Sequence, residues 1–327
     1  MKKILLLTHF DLDGQGCAIL GRLAWQDNVD IIVCKNPQDC GEKLLKEYNK
    51  IFFENYFRVF ITDTSFPEEI LNDTLLLSVL KDKLRLFDHH KTAEGLLKYF
   101  PDAVVQEKLD GQLTCGTSLF HKHLTEKWGL SARPWFVEQV RLLDTWEWAK
   151  GTSLMPKYLN LLCYMKGFNS FVESFSLRLK KKDLNELNVF TQAERDILEY
   201  EVERNSKEVE KNTSNVIKVM TNKYSVGVVN VTTGDFSTLG NTICNTYGVD
   251  IACMFNVTTG GISLRSTRDD INLGQILKQS VLKGGGHALA AGANLGEAFC
   301  QEITTMVVKK ILGEDIDISS IEFPSKK

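Results

Sequence analysis

No two of the eight cysteines (Cys17, Cys34, Cys40, Cys115, Cys163, Cys244, Cys253 and Cys300) form a CxxC pair. That spacing argues against a zinc ribbon. Most of them lie in apolar runs and read as small core residues, which fits a reducing cytoplasm. No stretch approaches the roughly 20 apolar residues of a membrane span. Met1-Lys2-Lys3 followed by four apolar residues mimics the start of a signal peptide, but the run is short and His9-Phe10-Asp11 interrupts it. Neither charge sign dominates: Lys+Arg number 39 against Asp+Glu 42, for a net charge of −3. A basic protein built to bind long duplexes is therefore not expected. There is no internal repeat and no low-complexity tract.

What is present is ordinary globular sequence, 43% hydrophobic and 25% charged. At 327 residues the chain is long enough for about two domains, each able to bury a core. The first part alternates strand and helix patterns. Strands are expected at Lys3–Thr8, Asp30–Cys34, Arg58–Thr62 and Leu84–Phe87, with a short one at Val104–Val105. Helices are expected at Gly16–Trp25, near Cys40–Tyr48 and from "CGTS" through His123. Such alternation implies a mostly parallel, doubly wound sheet. Around residues 157–212 charge rises, and "AERDILEYEVERNSKEVEKN" reads as a solvated helical connector. Strand patterns return in "VIKVM", "SVGVVNV", "IACMFNV" and "GISLRS". Helical patterns follow at Ile271–Leu282 and Glu302–Leu312. The expected fold is α/β: a domain at 1–150, a helical connector at 151–215 and a smaller α/β domain at 216–327.

Ligand-type side chains gather where elements end. "THFDLDGQG" places His9, Asp11 and Asp13 after the first strand, and "FITDTSF" places Asp63 after the third. "LFDHHKT" places Asp88, His89 and His90 after the fourth, and "RLLDTWEW" places Asp144 after an apolar helix. The carboxyl ends of parallel strands are where open α/β sheets bind ligands. Carboxylates and imidazoles without thiolates suit Mn²⁺, Mg²⁺ or a similar divalent ion. A carboxylate between two such ions bridges a pair about 3.5–4 Å apart, an arrangement suited to in-line phosphoryl displacement by water. Each residue alone has a plainer reading as a cap, turn former or surface group. Their joint occurrence in one α/β half does not.

The segments "HFDLDG", "ITD", "FDHH" and "LLDTW", in that order and followed by "GGGH", resemble the DHH/DHHA1 phosphoesterase superfamily. The resemblance spans nearly the whole chain. It implies two Mn²⁺ ions, with Mg²⁺ or Co²⁺ as alternatives, between an N-terminal DHH domain and a C-terminal DHHA1 substrate domain. It implies His9, Asp13, Asp63, His89 and Asp144 as metal ligands, with Asp63 bridging. It also implies His90 at the scissile phosphate and Asp88 orienting its histidine neighbours. Many members carry a third aspartate where this chain has Gln15, so Asp11 is a further candidate ligand. "HFDLDGQGCA" is similar to the opening of the nanoRNase B-type members.

"KGGGHALAAGA" has a plain reading, a turn before a small-residue helix. The resemblance instead makes Gly284, Gly285, Gly286 and His287 a loop for the substrate's terminal phosphate or nucleotide. It makes Arg265 a phosphate clamp in "SLRS", alongside Ser266. The expected function is a metal-dependent phosphodiesterase that releases mononucleotides from short single-stranded oligoribonucleotides. The neighbouring possibilities are a pAp phosphatase, a cyclic or linear dinucleotide phosphodiesterase, and a nucleotide-binding protein that has lost catalysis. No long duplex or membrane partner is expected. Oligomeric state is left open, a homodimer included. Trp146 and Trp148 read either as core or as a base-stacking pair.

Overall fold

Ile4-Leu5-Leu6-Leu7 is apolar on both faces, as a strand covered on both sides must be. In the computed structural model, which describes residues 3–46, 53–131, 134–282 and 284–313, this run lies in β1 (Lys3–His9) at the centre of a sheet. Around it stand β2 (Val29–Cys34), β3 (Tyr56–Thr62), β4 (Leu84–Asp88) and the short β5 (Val104–Val105), in the order β2-β1-β3-β4-β5, and a separate small hairpin of β6 (Lys108–Leu109) and β7 (Gln112–Leu113) follows. Every pairing in this sheet is parallel. Leu5 and Leu7 pack on one face with Val59, Ile61 and Leu86. Ile4 and Leu6 pack on the other with Phe60, Phe87 and Phe120. The chain reverses its direction of sheet growth between β1 and β3, the position at which such sheets open a ligand crevice.

The chain divides into two compact units, Met1–Leu198 and Glu199–Lys327. The stretch expected as a separate connector does not stand apart. Its helices Met155–Lys166 and Phe168–Leu179 bury Leu159, Leu162, Phe171 and Phe175 in the same cluster as Leu12, Ala18 and Ile19 of the first unit. The charge-rich run lies beyond them, from Lys180 onward; Met155–Leu179 itself carries only Lys157, Lys166, Glu173 and Arg178, and its apolar stripe needs covering. The boundary between the units falls inside the long helix Gln192–Thr213.

The second unit is built on a six-stranded mixed sheet, in the order β12-β13-β11-β10-β9-β8. These strands are β8 (Ile217–Met220), β9 (Ser225–Asn230), β10 (Ile251–Phe255), β11 (Gly261–Arg265), β12 (Gly285–Gly286) and β13 (Ala290–Asn294). The "ALAAGAN" stretch is therefore a strand, not a small-residue helix. Ala290–Asn294 pairs along the whole of β11 and folds back on Gly285–Gly286. Residues 47–48 of the second expected helix, Lys283 and the polar tail 314–327 lie outside the described residues. Among the described residues no helix is long and apolar enough to cross a membrane.

Candidate metal centre

The first helix begins at Leu12, four residues before the expected Gly16, because Asp11 caps it by accepting from the Gly14 N–H at 3.1 Å. Asp13 therefore sits in the helix's first turn. Gly14 falls before the expected helix start at Gly16, yet both glycines are helical and needed for close approach. A Cβ at Gly14 would lie 2.0 Å from the His9 carbonyl oxygen, and one at Gly16 would lie 2.3 Å from Thr117 Oγ1. Thr8 and Thr62, both fully buried, join the ends of β1 and β3 through a 2.9 Å hydroxyl contact.

Asp63 follows β3 with φ +53°, a left-handed conformation unusual for a residue with a side chain. Its N–H donates to the Phe87 carbonyl at 2.9 Å, which holds it there. Gly116 packs directly against it: a Cβ on Gly116 would meet Asp63 Cβ at 2.6 Å. Asp13 is anchored from the other side. Its carboxylate accepts from the Gly116 and Thr117 N–H groups at 2.6 and 2.7 Å, and Thr117 Oγ1 donates to its carbonyl at 2.6 Å. These N–H groups open the helix Gly116–Trp128, whose N-terminal dipole favours the negative charge. Neither Gly116 nor Thr117 was among the expected site residues. The signal was present in "CGTS", a helix start rich in small residues.

His9, Asp11, Asp13, Asp63, Asp88, His89, His90 and Asp144 come together at the carboxyl edge of the parallel sheet. Among the described residues their ligand atoms form three overlapping groups, each within 4.8 Å: His9, Asp11, Asp63; Asp13, His89, Asp144; and Asp63, Asp88, His89, His90. Asp63 and His89 are each shared by two groups. His89 Nε2 lies 3.4 Å from Asp63 Oδ1, 3.5 Å from Asp144 Oδ2 and 3.9 Å from Asp13 Oδ2. His9 Nε2 is placed to donate to the Lys35 carbonyl at 3.2 Å, while Nδ1 faces Asp11 at 2.8 Å and Asp63 at 3.8 Å. A histidine whose far nitrogen is tied to a carbonyl is the usual form of a metal-ligating imidazole.

The electrostatics call for a cation. Burial, and then the charges of Asp13 and Asp11, push the Asp63 carboxyl well above the usual carboxylate range. Asp144 is pushed in the same direction by desolvation and by Asp13 and Asp11, although it sits at the exposed rim of the cluster. Both Asp63 oxygens are buried and accept no hydrogen bond, a costly state for a carboxylate unless a cation meets it. The donor set of carboxylate oxygens and imidazole nitrogens fits a divalent ion such as Mn²⁺ or Mg²⁺. Asp11 differs: burial opposes its charge, but the His9 hydrogen bond outweighs this and lowers its pKa to about 2. His89 is held neutral by burial and by the neighbouring His90. For His90, burial is outweighed by the 2.6 Å hydrogen bond from Nδ1 to Asp88, and its pKa rises to about 9.

Asp144 ends the helix Pro134–Asp144, and the end of that helix is held by a residue the sequence did not single out. Arg141, 8% exposed, donates to Glu138 at 2.7 Å, to the Leu113 carbonyl at 3.0 Å and to Glu147. It thereby ties the helix end to the turn that follows. In that turn Trp146 takes a left-handed φ of +62° and meets Trp148 edge to face at 5.2 Å. Both rings are half-buried.

In the second unit, Arg265 ends β11. Its guanidinium donates to the Ser237 and Ser263 hydroxyls at 3.1 and 2.9 Å and to the Leu264 carbonyl at 2.8 Å. Burial lowers its pKa. Ser266 turns inward instead, donating to the Asp250 carbonyl at 2.8 Å and accepting from the Arg268 N–H at 3.2 Å. Gly285 and Gly286 are exposed in a hairpin, and the His287 N–H already donates to the Ala290 carbonyl at 2.8 Å. That donor is not available to an anion.

The site is a cluster of carboxylates and histidines at the switch point of a parallel sheet, in a chain whose second unit is built on a mixed sheet. Residues 221–312 match the DHHA1 domain. The chain is 30% identical over 302 residues to the oligoribonuclease NrnB of Bacillus subtilis, covering 89% of this chain and 72% of that protein. Among solved structures it is similar in fold to RecJ of Thermus thermophilus in complex with Mn²⁺ (TM-score 0.54, 17% identity, 96% of this chain and 52% of RecJ). It is also similar in fold to the pGpG-specific phosphodiesterase PggH of Vibrio cholerae (TM-score 0.53, 14% identity, 96% of this chain and 100% of PggH). The chain belongs to the DHH/DHHA1 phosphoesterase superfamily, on the side of the nanoRNase B-type members.

Proposed function

We propose that the protein is a metal-dependent phosphodiesterase that releases mononucleotides from short single-stranded oligoribonucleotides or dinucleotides, with Mn²⁺ as its preferred ion. The observation that carries this reading is Asp63, buried with neither oxygen hydrogen-bonded, beside the charges of Asp11, Asp13 and Asp144 and the histidines His9, His89 and His90. His9, Asp13, Asp63, His89 and Asp144 would hold the metal, with Asp11 supporting His9. A divalent ion bound there supplies Lewis-acid polarisation of a phosphoryl oxygen and a water of lowered pKa. Asp88 holds the His90 ring through Nδ1, and the cationic ring favours the negative charge of a scissile phosphate. Arg265 is suited to a phosphate of the substrate by its planar donor fork. The activities named for NrnB and PggH, both on short RNA species, support this substrate class. The eight free cysteines accord with a reducing cytoplasm.

The test is a product time course with Mn²⁺ on end-labelled RNA dinucleotide, pentanucleotide and a long strand, beside pAp and a cyclic dinucleotide. Rapid conversion of the two short RNAs to mononucleotides is expected. Cleavage of pAp or the cyclic compound alone would move the function to another phosphoester. Tight nucleotide binding with no turnover of any substrate would overturn the enzymatic reading.

A further inference from the structure

Phe10 is the exposed residue in an otherwise enclosed motif. From Leu12 through Cys17 every residue is buried, while Phe10 keeps 40% of its surface exposed. Its ring meets the His9 ring at 4.6 Å, inclined by 61°. An apolar ring is thus presented to solvent beside the most polar cluster of the molecule. Burial would favour turning it inward, and the backbone prevents that. The segment is pinned by Thr8 Oγ1 to the Gly14 carbonyl at 3.0 Å, by the Asp11 cap and by Gln15. Gln15, itself 2% exposed, donates from Nε2 to the Phe10 carbonyl at 2.8 Å. The residue standing where many relatives carry another aspartate therefore does its work on the backbone of Phe10.

We propose that Phe10 is a nucleobase platform, on which the base next to the scissile phosphodiester stacks, and that Gln15 is the positioning residue that sets the ring. The proposal rests on the phosphodiesterase reading for its substrate class. A flat apolar face stacks on any base, so it fixes where the substrate sits without reading its sequence. A ring on a rigid loop loses little entropy when a base settles on it. Contact with His9 places that base against the centre itself.

The test uses the Mn²⁺-loaded full chain and an RNA dinucleotide carrying 2-aminopurine, whose fluorescence is quenched on stacking. Wild type should quench the probe, Phe10→Ala should abolish the quench, and Phe10→Trp should keep it. With the unmodified dinucleotide, Phe10→Ala should raise KM about tenfold with kcat changed little, at unaltered bound manganese. Gln15→Leu should raise KM in the same direction, and the double variant should be no worse than Phe10→Ala alone. Absence of quench in wild type, or equal KM for wild type and Phe10→Ala, overturns the platform even if RNA is cleaved. Quench without cleavage supports the platform and counts against the hydrolase. Loss of manganese together with quench in Phe10→Ala overturns it, because Phe10 would then act by supporting His9. Additive effects of the two substitutions overturn the role of Gln15.

Discussion

A single missing methyl group decides the centre's geometry at Gly116. Its N–H holds Asp13 at 2.6 Å while its bare Cα lets Asp63 approach. Gly116→Ala should force the two apart, destabilising the fold by about 1–3 kcal/mol and weakening Mn²⁺ retention. Thermal melting and metal content of the purified variant check both effects. Asp88 acts differently. It contacts His90 through its ring and its N–H, at 2.6 and 3.2 Å. Asp88→Asn keeps the shape but removes the charge that sustains the imidazolium, so turnover should fall about 10–100-fold with metal content largely kept. Steady-state kinetics beside metal analysis separates this from loss of the ion. At this scale the sequence was informative where a ligand-type side chain ended an apolar strand. It was silent on Arg141 and gave only a helix start in "CGTS" for Gly116 and Thr117, whose importance arises from what folding sets beside them.

Helix ends carry much of the local order. "TQAE" at Thr191–Glu194 forms a reciprocal cap: Glu194 accepts from the Thr191 N–H at 2.9 Å, and Thr191 Oγ1 accepts from the Glu194 N–H at 3.2 Å. The same carboxylate takes both donors of the Arg178 fork, at 2.7 and 2.8 Å. Burial opposes its charge, but the Arg178 and Thr191 hydrogen bonds outweigh that and lower its pKa to about 2. A depressed folded pKa means stability that is fully present above the ordinary glutamate value. It is lost as pH falls from about 4.5 toward 2. Glu194→Ala should lower stability by about 1–2 kcal/mol near neutral pH. It should also flatten the acid limb of the stability curve, measured by urea unfolding at several pH values. Elements were legible where period and caps agreed, as in β1 or the helix from Gly116. They were misread where close backbone contact overrode the local pattern, as at Gly14, which stands inside the helix expected to begin only at Gly16.

For the whole molecule, the crowded carboxylates of the proposed metal centre would make a bound ion part of the fold's stability. A ligand that binds only the folded chain adds about 2.7 kcal/mol at one hundred times its Kd. Removing metal with a chelator should lower the melting temperature, and added Mn²⁺ should restore it in a concentration-dependent way, read by calorimetry. An unchanged melting temperature would argue that Asp63 and Asp144 are simply protonated. The broad division into an α/β first part and a mixed second part was readable from strand spacing. The extent of the first unit was not, because the apolar Met155–Leu179 adjoins the charge-rich run from Lys180 onward and was grouped with it.

The centre draws its side chains from segments far apart in the chain, beginning at His9 and closing with Asp144. During synthesis the amino-terminal part emerges first, so β1 and its helix exist well before Asp144 leaves the ribosome. Until the helix Pro134–Asp144 docks, only part of the donor set can meet an ion, and any captured there would be held loosely. A metal held by all of these residues would therefore be loaded late in the life of the nascent chain. A truncated product released before Asp144 would lack that ligand, and so the complete centre.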